Sequence, residues 1–260
     1  MCLILIAWRA HPRYPLVIAA NRDEFFARPT AAARFWEDAP DILAGRDLSA
    51  GGTWMGITRH GRFAALTNFR EPGGRKADAP SRGGLVSGFL AGAMPAEAYM
   101  AAVQEMAALY NGFNLLCGTS DDGLWHFSNR ESAGARQLPP GIFGLSNHLL
   151  DTPWPKVARG KSDLATALAA LPSDAPLFDL LRDDRVHEDG RLPRTGISLD
   201  WERILSAAFV RAENYGTRSS TVLRQDEQGV IAFDELAYLP GGAPGGRSRF
   251  VFRLEGCDSS

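Results

Sequence analysis

The sequence predicts an α+β fold in which antiparallel sheets are packed between helical layers. Segments with a strand pattern come first, helical segments follow, and this order repeats before the chain returns to strands. The order favours antiparallel sheets over the alternating β and α units of a parallel sheet. With 260 residues, of which 45% are hydrophobic and 22% charged, the chain is long enough for one large core. We expect a single domain over residues 1–260.

Composition and charge argue against several classes of protein. The formal net charge of −2 disfavours nucleic acid or an anionic membrane as the main partner, since either needs a concentrated basic face. No apolar run approaches transmembrane length, and the apolar start lacks the basic segment of a secretory signal. The three cysteines have no CxxC spacing, so neither a disulfide framework nor a zinc knuckle is expected. We expect a cytoplasmic protein without an integral membrane segment, of open oligomeric state.

The first two strands are predicted over Leu3–Trp8 and Leu16–Ala20, two apolar runs separated by a turn that contains prolines. We expect them to pair as antiparallel central strands. Four polar residues, Asn21 to Glu24, follow the second run and are expected at its end. A polar loop over residues 70–84 has the length of loops that cover pockets. Other strands follow from runs bounded by turn formers, at residues 51–58, 61–68, 113–118, 124–127, 218–223, 230–239 and 250–254.

Apolar residues at helical spacing predict four helices. The first begins at Pro95, and its apolar stripe consists of Tyr99, Val103, Met106 and Tyr110. The second is capped near Ser162, the third lies within residues 172–181, and the fourth contains Trp201. We expect the Tyr99 and Trp201 helices to form outer layers on the sheets.

Cys2 opens the first predicted strand and is the candidate nucleophile. The initiator methionine is normally removed before a side chain as small as cysteine, which would leave Cys2 with a free α-amine. This amine has an ordinary pKa of roughly 7.7 to 8, against roughly 8.5 for the thiol, so it can serve as the base for its own residue. N-terminal nucleophile hydrolases use this chemistry. The alternative is a buried first strand in which Cys2, like Cys117, is a small core residue.

A series of segments resembles those of the NRDE-motif family, also called the transport-and-Golgi-organisation family. The signature is Asn21-Arg22-Asp23-Glu24, and the other matching segments in order are Gly51–Gly56, Thr67–Pro72, Ser81–Val86, Tyr110–Leu116, Gly144–Val157 and Thr217–Thr221. The resemblance extends from Cys2 to about Leu223. It implies the four-layer αββα sandwich of N-terminal nucleophile hydrolases. Members of the family are also implicated in haem trafficking and in handling acyl-CoA or other lipids.

A more distant resemblance, to penicillin V acylases and bile-salt hydrolases, implies roles for five residues. Cys2 matches the nucleophile, and Asp23 resembles the aspartate that holds the terminal amine. Asn68 resembles the asparagine that donates a hydrogen bond to the oxyanion. Asn147 resembles the asparagine that orients the nucleophile, and Arg218 the late arginine of that pattern.

The spacing of Arg22 departs from the acylase pattern, so we expect its side chain to alternate to the other face of its strand. Polar and aromatic residues of the matching segments are further candidates for binding a ligand, namely Asn21, Arg22, Glu24, Trp54, Arg70 and Asn114. No metal-binding motif is expected, because the histidines are scattered without ligand spacing. If haem binds, the candidate ligands are His11, His60, His126 and His148.

Three hypotheses for function follow from the sequence. The first is a cysteine N-terminal nucleophile hydrolase that cleaves a linear amide or thioester of an amphipathic substrate and requires no cofactor. The second is a non-catalytic carrier that binds haem, acyl-CoA or a related lipid in the same pocket. The third is an αββα domain without a small ligand.

Overall fold

The computed structural model describes residues 2–73 and 76–255. Its strands are β1 (Cys2–His11), β2 (Tyr14–Phe25), β3 (Thr30–Phe35), β4 (Ile42–Asp47), β5 (Met55–Thr58), β6 (Phe63–Asn68), β7 (Phe113–Thr119), β8 (Gly123–Ser128), β9 (Arg136–Gln137), β10 (Gly141–Leu145), β11 (Tyr215–Gln225), β12 (Val230–Tyr238) and β13 (Pro244–Arg253). Its α-helices are α1 (Gly83–Ala91), α2 (Ala96–Met106), α3 (Pro155–Ala167), α4 (Ala175–Leu181) and α5 (Leu199–Ile204).

The strands form two antiparallel sheets. The first has the order β10-β1-β2-β11-β12-β13, and the second has the order β3-β4-β5-β6-β7-β8-β9. β1 and β2 are neighbours within the first sheet, and their register places Cys2 opposite Arg22 and Trp8 opposite Leu16. The predicted antiparallel pairing of the first two strands is therefore confirmed.

Alternation along β1 supplies both faces of the first sheet. Ile4 and Ile6 point towards the second sheet and belong to the core between the sheets. Leu3 and Leu5 point the other way and pack beneath α3 and α4. On the far side, α1 and α2 cover the outer face of the second sheet. The result is a four-layer αββα sandwich, which confirms the predicted fold class.

β2 is longer than predicted. The expected end was Ala20, but β2 continues to Phe25, so the segment Asn21 to Glu24 lies inside the strand. β11 pairs with this segment from Tyr215 onwards, which satisfies its backbone groups. The four polar side chains therefore alternate between the two faces of a central strand.

Two helices begin where the sequence did not place them. α3 begins at Pro155, not near Ser162, because proline fits the first position of a helix and Val157 already contributes to the core. α1 begins inside the predicted loop of residues 70–84. Its two leading glycines are poor helix formers, so local propensity concealed it.

The Tyr99 helix is confirmed, but its apolar stripe is different. The side chains that α2 buries are Ala96, Met100 and Val103, whereas Met106 is 41% exposed. α2 ends at Met106 and the chain tightens into a 3-10 turn, which changes the periodicity of the residues that follow.

The Trp201 helix is not an outer layer, so that expectation is wrong. α5 is a single short helix of six residues, and α3 and α4 cover the first sheet instead. The ring of Trp201 stands edge-on to the ring of Tyr215, with centroids 5.7 Å apart. No helix within residues 2–73 and 76–255 has the length and hydropathy needed to cross a membrane.

Candidate active site

A cleft of about 650 Å³ opens at the end of the sandwich where β1 begins. The start of β1 and the ends of β2 and β6 contribute to its floor, and the segments around α5 and before α1 contribute to its sides. Residues 79–82 of the predicted polar loop line it. So do most of the predicted site residues, namely Cys2, Arg22, Asp23, Glu24, Trp54 and Asn68.

Cys2 and Arg22 share one face of the first sheet. They lie directly opposite each other in the β1–β2 ladder, so both side chains point towards the second sheet. Arg22 thus lies on the opposite face of β2 from Asp23, and this face is the one that carries Cys2, so its charge can act on the thiol. Burial raises the pKa of the Cys2 thiol, although a hydrogen bond from the backbone N–H of Asp23 and the charge of Arg22 act in the opposite direction. The thiol is thus protonated at neutral pH and needs a base to react.

The guanidinium of Arg22 lies 4.2 Å from the centroid of the Trp54 ring. Arg22 is only 6% exposed, and its Nη1 has no hydrogen-bond partner in the described part of the chain. Gly45 leaves the space that the far edge of the Trp54 ring occupies, since a Cβ there would overlap the ring. Trp54 is therefore held as a platform, and cation–π attraction compensates part of the burial of Arg22.

Asp23 lies on the other face of β2 and is almost fully buried. The Thr217 hydroxyl donates a hydrogen bond to Asp23 Oδ1 at 2.8 Å, and the Tyr215 hydroxyl donates to the Asp23 carbonyl at 3.0 Å. Burial raises the pKa of Asp23, while the nearby ammonium of Lys156 and the Thr217 hydroxyl lower it. The carboxyl group is thus held by protein groups at the start of β1.

The two predicted asparagines are joined to each other. Asn147 is fully buried, and its Nδ2 donates to the Asn68 carbonyl at 2.9 Å. The Ser146 hydroxyl donates to the Cys2 carbonyl at 2.9 Å. Within the described residues, the side-chain amide of Asn68 makes no hydrogen bond and lines the cleft. Asn147 therefore holds the backbone of Asn68, and the amide of Asn68 is left to meet a ligand.

Arg218 does not line the cleft. Its Nη1 donates to the carbonyls of Phe25, Phe26 and Arg28 at 2.9, 3.3 and 3.1 Å. Burial lowers the pKa of Arg218, although it is still a cation at any ordinary pH. Arg218 thus stabilises the backbone of the segment that follows β2.

Three of the predicted ligand-binding residues are likewise occupied by contacts within the protein. Asn21 Nδ2 donates to the carbonyls of Leu181 and Ala208, both at 2.8 Å, on the face of β2 that α4 covers. Asn114 Nδ2 donates to Thr67 Oγ1 and to the His148 carbonyl.

Arg70, the third of these residues, donates from Nη1 to Glu202 Oε2 at 2.8 Å. The side chains of Arg70 and Glu202 are both almost completely buried. Their ion pair joins the segment after β6 to α5.

Sequence reasoning missed Thr217, Tyr215 and Lys156, which surround Asp23. Thr217 lies in a matching segment and faces Asp23 across the β2–β11 ladder, so strand alternation would have favoured it over its neighbour Arg218. Lys156 also lies in a matching segment, but only the position of α3 brings it to Asp23. The apolar residues Ile197, Trp201 and Leu205 of the cleft gave no local signal.

None of the four candidate haem-ligating histidines lines the cleft. His126 is fully buried between the sheets, and burial lowers its pKa to about 3. His148 Nδ1 is hydrogen-bonded to Thr152 Oγ1 at 2.8 Å. In the described part of the chain, no group of His, Cys, Asp and Glu side chains is arranged to hold a metal ion. Cys117 is fully buried in the core beneath α1 and α2, as predicted, and Cys257 lies outside the described residues.

Comparison with known proteins gives one family and several relatives. A family model described as Transport and Golgi organisation 2 matches residues 1–240. The Transport and Golgi organization 2 homolog of Mus musculus is 37% identical, over 92% of this chain and 94% of that protein. The homolog of Homo sapiens is 36% identical over the same shares, and the Drosophila melanogaster protein is 29% identical over 90% and 91%.

Two solved structures are similar at low sequence identity. One is a mutant conjugated bile acid hydrolase from Clostridium perfringens, with 12% identity over 100% of this chain and 94% of that chain and a TM-score of 0.44. The other is the Caenorhabditis elegans ortholog of N-acylethanolamine-hydrolyzing acid amidase. It has 9% identity over 85% of this chain and 92% of that chain, with a TM-score of 0.47.

Proposed function

The chain belongs to the Transport and Golgi organisation 2 family, and from this premise we propose that it is a cysteine N-terminal nucleophile hydrolase. Its substrate would be a linear amide or thioester of an amphipathic molecule. The observation that supports this most is the position of Cys2, which begins a central strand on the floor of the cleft beside the unengaged amide of Asn68.

The raised pKa of Cys2 defines what the mechanism needs. A protonated thiol must pass its proton to a base before the sulfur attacks a carbonyl carbon. Removal of Met1 would supply that base on the same residue, as an α-amine whose ordinary pKa is roughly 7.7 to 8. Asp23 would orient this amine, and the guanidinium of Arg22 would favour the thiolate electrostatically.

Attack on the carbonyl places negative charge on its oxygen, and the amide of Asn68 is the donor that would receive it. Asn147 fixes the backbone of Asn68, so the donor need not reorganise during the reaction. Loss of one such donor in other enzymes costs about 10²- to 10³-fold in rate. The leaving amine or thiol would take the proton that the α-amine had accepted, and water would then hydrolyse the acyl-enzyme thioester.

The lining of the cleft suits an amphipathic substrate. Trp54 and Trp201 supply large apolar surfaces, while Arg28 and Arg82 supply charge. Arg28 is already paired with Asp47 at 2.7 Å. A volume of about 650 Å³ lies within the range of about 300 to 1,000 Å³ of small-molecule sites. An acyl chain would therefore meet aromatic side chains and a polar head group would meet the charged residues.

A carrier for haem, acyl-CoA or a related lipid is the second candidate. The raised pKa of Cys2 favours it, because a thiol that stays protonated is a poor nucleophile in a cleft that still has room for a ligand. For haem, a ligand would have to come from a residue other than the four candidate histidines, since these lie outside the cleft.

Substitution of Cys2 by alanine separates the two candidates. We expect Cys2→Ala to abolish hydrolysis of a panel of acyl amides and thioesters while ligand affinity stays nearly unchanged, because the nucleophile acts in the covalent step. Cys117→Ala is the matched control: it removes a core thiol and should leave turnover intact. The parent protein is assayed untagged, with its intact mass measured to establish that Met1 has been removed.

Hydrolysis that survives Cys2→Ala unchanged would remove Cys2 from the mechanism. Protein that keeps Met1 in the cell would likewise contradict self-activation. Absence of hydrolysis, together with saturable stoichiometric binding of haem or acyl-CoA by parent and variant alike, would favour the carrier.

A further inference from the structure

Lys156 is a buried cation without an evident structural partner. The residue is 3% exposed, and its Nζ has no hydrogen-bond partner among the described residues. Burial of an unpaired ammonium group is costly, so such a group in a folded protein needs an explanation.

The packing of α3 places Lys156 at the start of β1. Gly160 lies directly on the side chain of Leu5, whose Cδ atoms would touch a Cβ at this glycine. Lys156 precedes Gly160 by four residues, slightly more than one helical turn and about 6 Å along the helix axis. Its side chain therefore lies level with the beginning of β1, on the face of the sheet that carries Asp23.

Three charged or titratable groups face Lys156 from three elements. These are Asp23 on β2, Cys2 on β1 and Arg70 after β6. Arg70 has its own carboxylate, Glu202, at 2.8 Å. The carboxylate that compensates Lys156 is therefore Asp23, the same group that would hold the amine of Cys2.

The position of Asp23 near both the Lys156 ammonium and the Cys2 amine bears on the basicity of that amine. A carboxylate beside an amine favours its protonated form and so weakens it as a base. A second cation near the carboxylate opposes this effect without removing the hydrogen-bond acceptor. Burial lowers the pKa of Lys156 to about 8, and Asp23 limits the shift, so the ammonium form still predominates at neutral pH.

We propose that Lys156 is a positioning residue for Cys2, whose charge keeps Asp23 ionised as an acceptor for the α-amine while leaving that amine a usable base. The inference rests on the proposed function, since it presupposes a self-activated Cys2. Lys156 itself does not line the cleft and touches no substrate. Its effect passes entirely through Asp23 and the amine.

The test is the pH dependence of Cys2 alkylation by iodoacetamide in protein processed to remove Met1, with the labelled site mapped by mass spectrometry. We expect Lys156→Met and Lys156→Gln to move the midpoint of the profile upwards by about one pH unit or more, because loss of a nearby cation favours protonation of both amine and thiol. Lys156→Arg keeps the charge and should keep the midpoint close to that of the parent.

Lys161→Met is the matched control, because Lys161 lies on the same helix but pairs with Asp151 at 2.8 Å near the surface. It should leave the midpoint unchanged. An unmoved midpoint in the Met and Gln variants would overturn the role of Lys156. So would an equal shift in Lys156→Arg, which would show a packing role, or failure of both neutral variants to fold while Arg folds, which would show that the charge serves the stability of the fold.

The same measurement distinguishes failure of the wider proposal. Self-activation fails if Cys2 of the processed parent is alkylated no faster than a simple thiol and its alkylation rate does not rise as the α-amine loses its proton. The role of Lys156 then fails with it. If the alkylation rate of the parent does rise in this way, but no substitution at Lys156 changes the midpoint of the profile, only the role of Lys156 is contradicted.

Discussion

Lys156 and His126 are two buried bases in different regions of the same sandwich. Among the described residues, neither the Lys156 ammonium nor the His126 ring nitrogens have a hydrogen-bond partner. Lys156 lies at the open end beside Asp23, whereas His126 lies between the sheets, where Arg136 is the neighbouring charge. Burial lowers the pKa of Lys156 from 10.5 to about 8, a smaller drop than that of His126 from 6.5 to about 3.

The difference shows what a carboxylate does for a buried base. Asp23 stabilises the charged form of Lys156, so the open end keeps a buried cation at neutral pH. His126 has only a second cation nearby, so it stays neutral and behaves as a core residue. The contrast is therefore between a cation that a nearby carboxylate compensates at the open end and a base that stays neutral between the sheets. Each of the following predictions tests one side of this contrast.

The largest expected effect is at the buried ion pair of Arg70 and Glu202. Arg70→Met should lower the free energy of unfolding by about 3–5 kcal/mol, because Glu202 would be left as an uncompensated buried charge. Chemical denaturation at neutral pH measures this change. The neighbouring residue Arg203 provides the control, since its pair with Asp189 is exposed.

Arg203→Met should leave the unfolding midpoint almost unchanged, because water solvates both of the separated charges. Equal losses in the two variants would show that burial does not distinguish the pairs. Compensation of a buried charge by a carboxylate would then have no measurable effect at Arg70.

The second prediction concerns His126 and acid. The folded-state pKa of about 3 lies below the ordinary value of 6.5, so the unfolded chain binds one more proton between these values. Stability should therefore fall as the pH drops below about 6.5, by about 1.4 kcal/mol per pH unit from this residue, or about 2 kcal/mol at pH 5. His126→Leu should remove this part of the slope. Urea denaturation between pH 7 and pH 5 measures it.

His60→Leu is the control for the acid slope, since the His60 side chain is half exposed near Asp41 and Glu255. It should leave the dependence that His126 causes intact. If the unfolding free energy of the parent and of His126→Leu had the same pH dependence, the His126 ring could take up a proton in the folded state, through contact with water or a conformational change.

The fold followed from patterns that are local in the chain. The continuous apolar run from Leu3 to Trp8 is enough to predict a strand with two buried faces, and a strand of that kind needs a layer on each side. β3 and β4 were not predicted, because residues 30–47 have weak alternation interrupted by polar residues and by Pro40. α3 was placed too late, because its first turn is rich in residues that also occur in loops.

Site residues were predicted where a matching segment lies on a strand. They were missed where contacts between elements distant in the chain form the site. Cys2, Asp23 and Asn68 came from the resemblance, and the structure brings all three to one cleft. The contact of Thr217 with Asp23 joins residues 194 positions apart, and no periodicity indicates it. Lys156 depends on the packing of α3, so its role becomes visible only in three dimensions.

The smallest expected effect compares two hydroxyls on β11. Thr217 donates to Asp23 at 2.8 Å at the open end, and Thr221 donates to the buried carboxylate of Glu235 at 3.3 Å in the interior. Replacement of either by valine keeps the shape and removes the hydroxyl. Thr221→Val should lose about 1 kcal/mol of unfolding free energy, the usual net value of one such hydrogen bond, and Thr217→Val about twice as much, because its hydroxyl also accepts from the Val210 N–H at 2.9 Å.

Only Thr217→Val should also change the reactivity of Cys2. Without this donor, Asp23 is less well held and less readily ionised, so it orients the α-amine less effectively. Alkylation of Cys2 at neutral pH in processed protein should therefore be slower in this variant than in the parent. Thr221→Val should alkylate at close to the parent rate, because the Thr221 hydroxyl donates to Glu235 rather than to Asp23. Equal rates in the two variants would separate Asp23 from the chemistry of Cys2 and leave the buried charges at this end with a structural role alone.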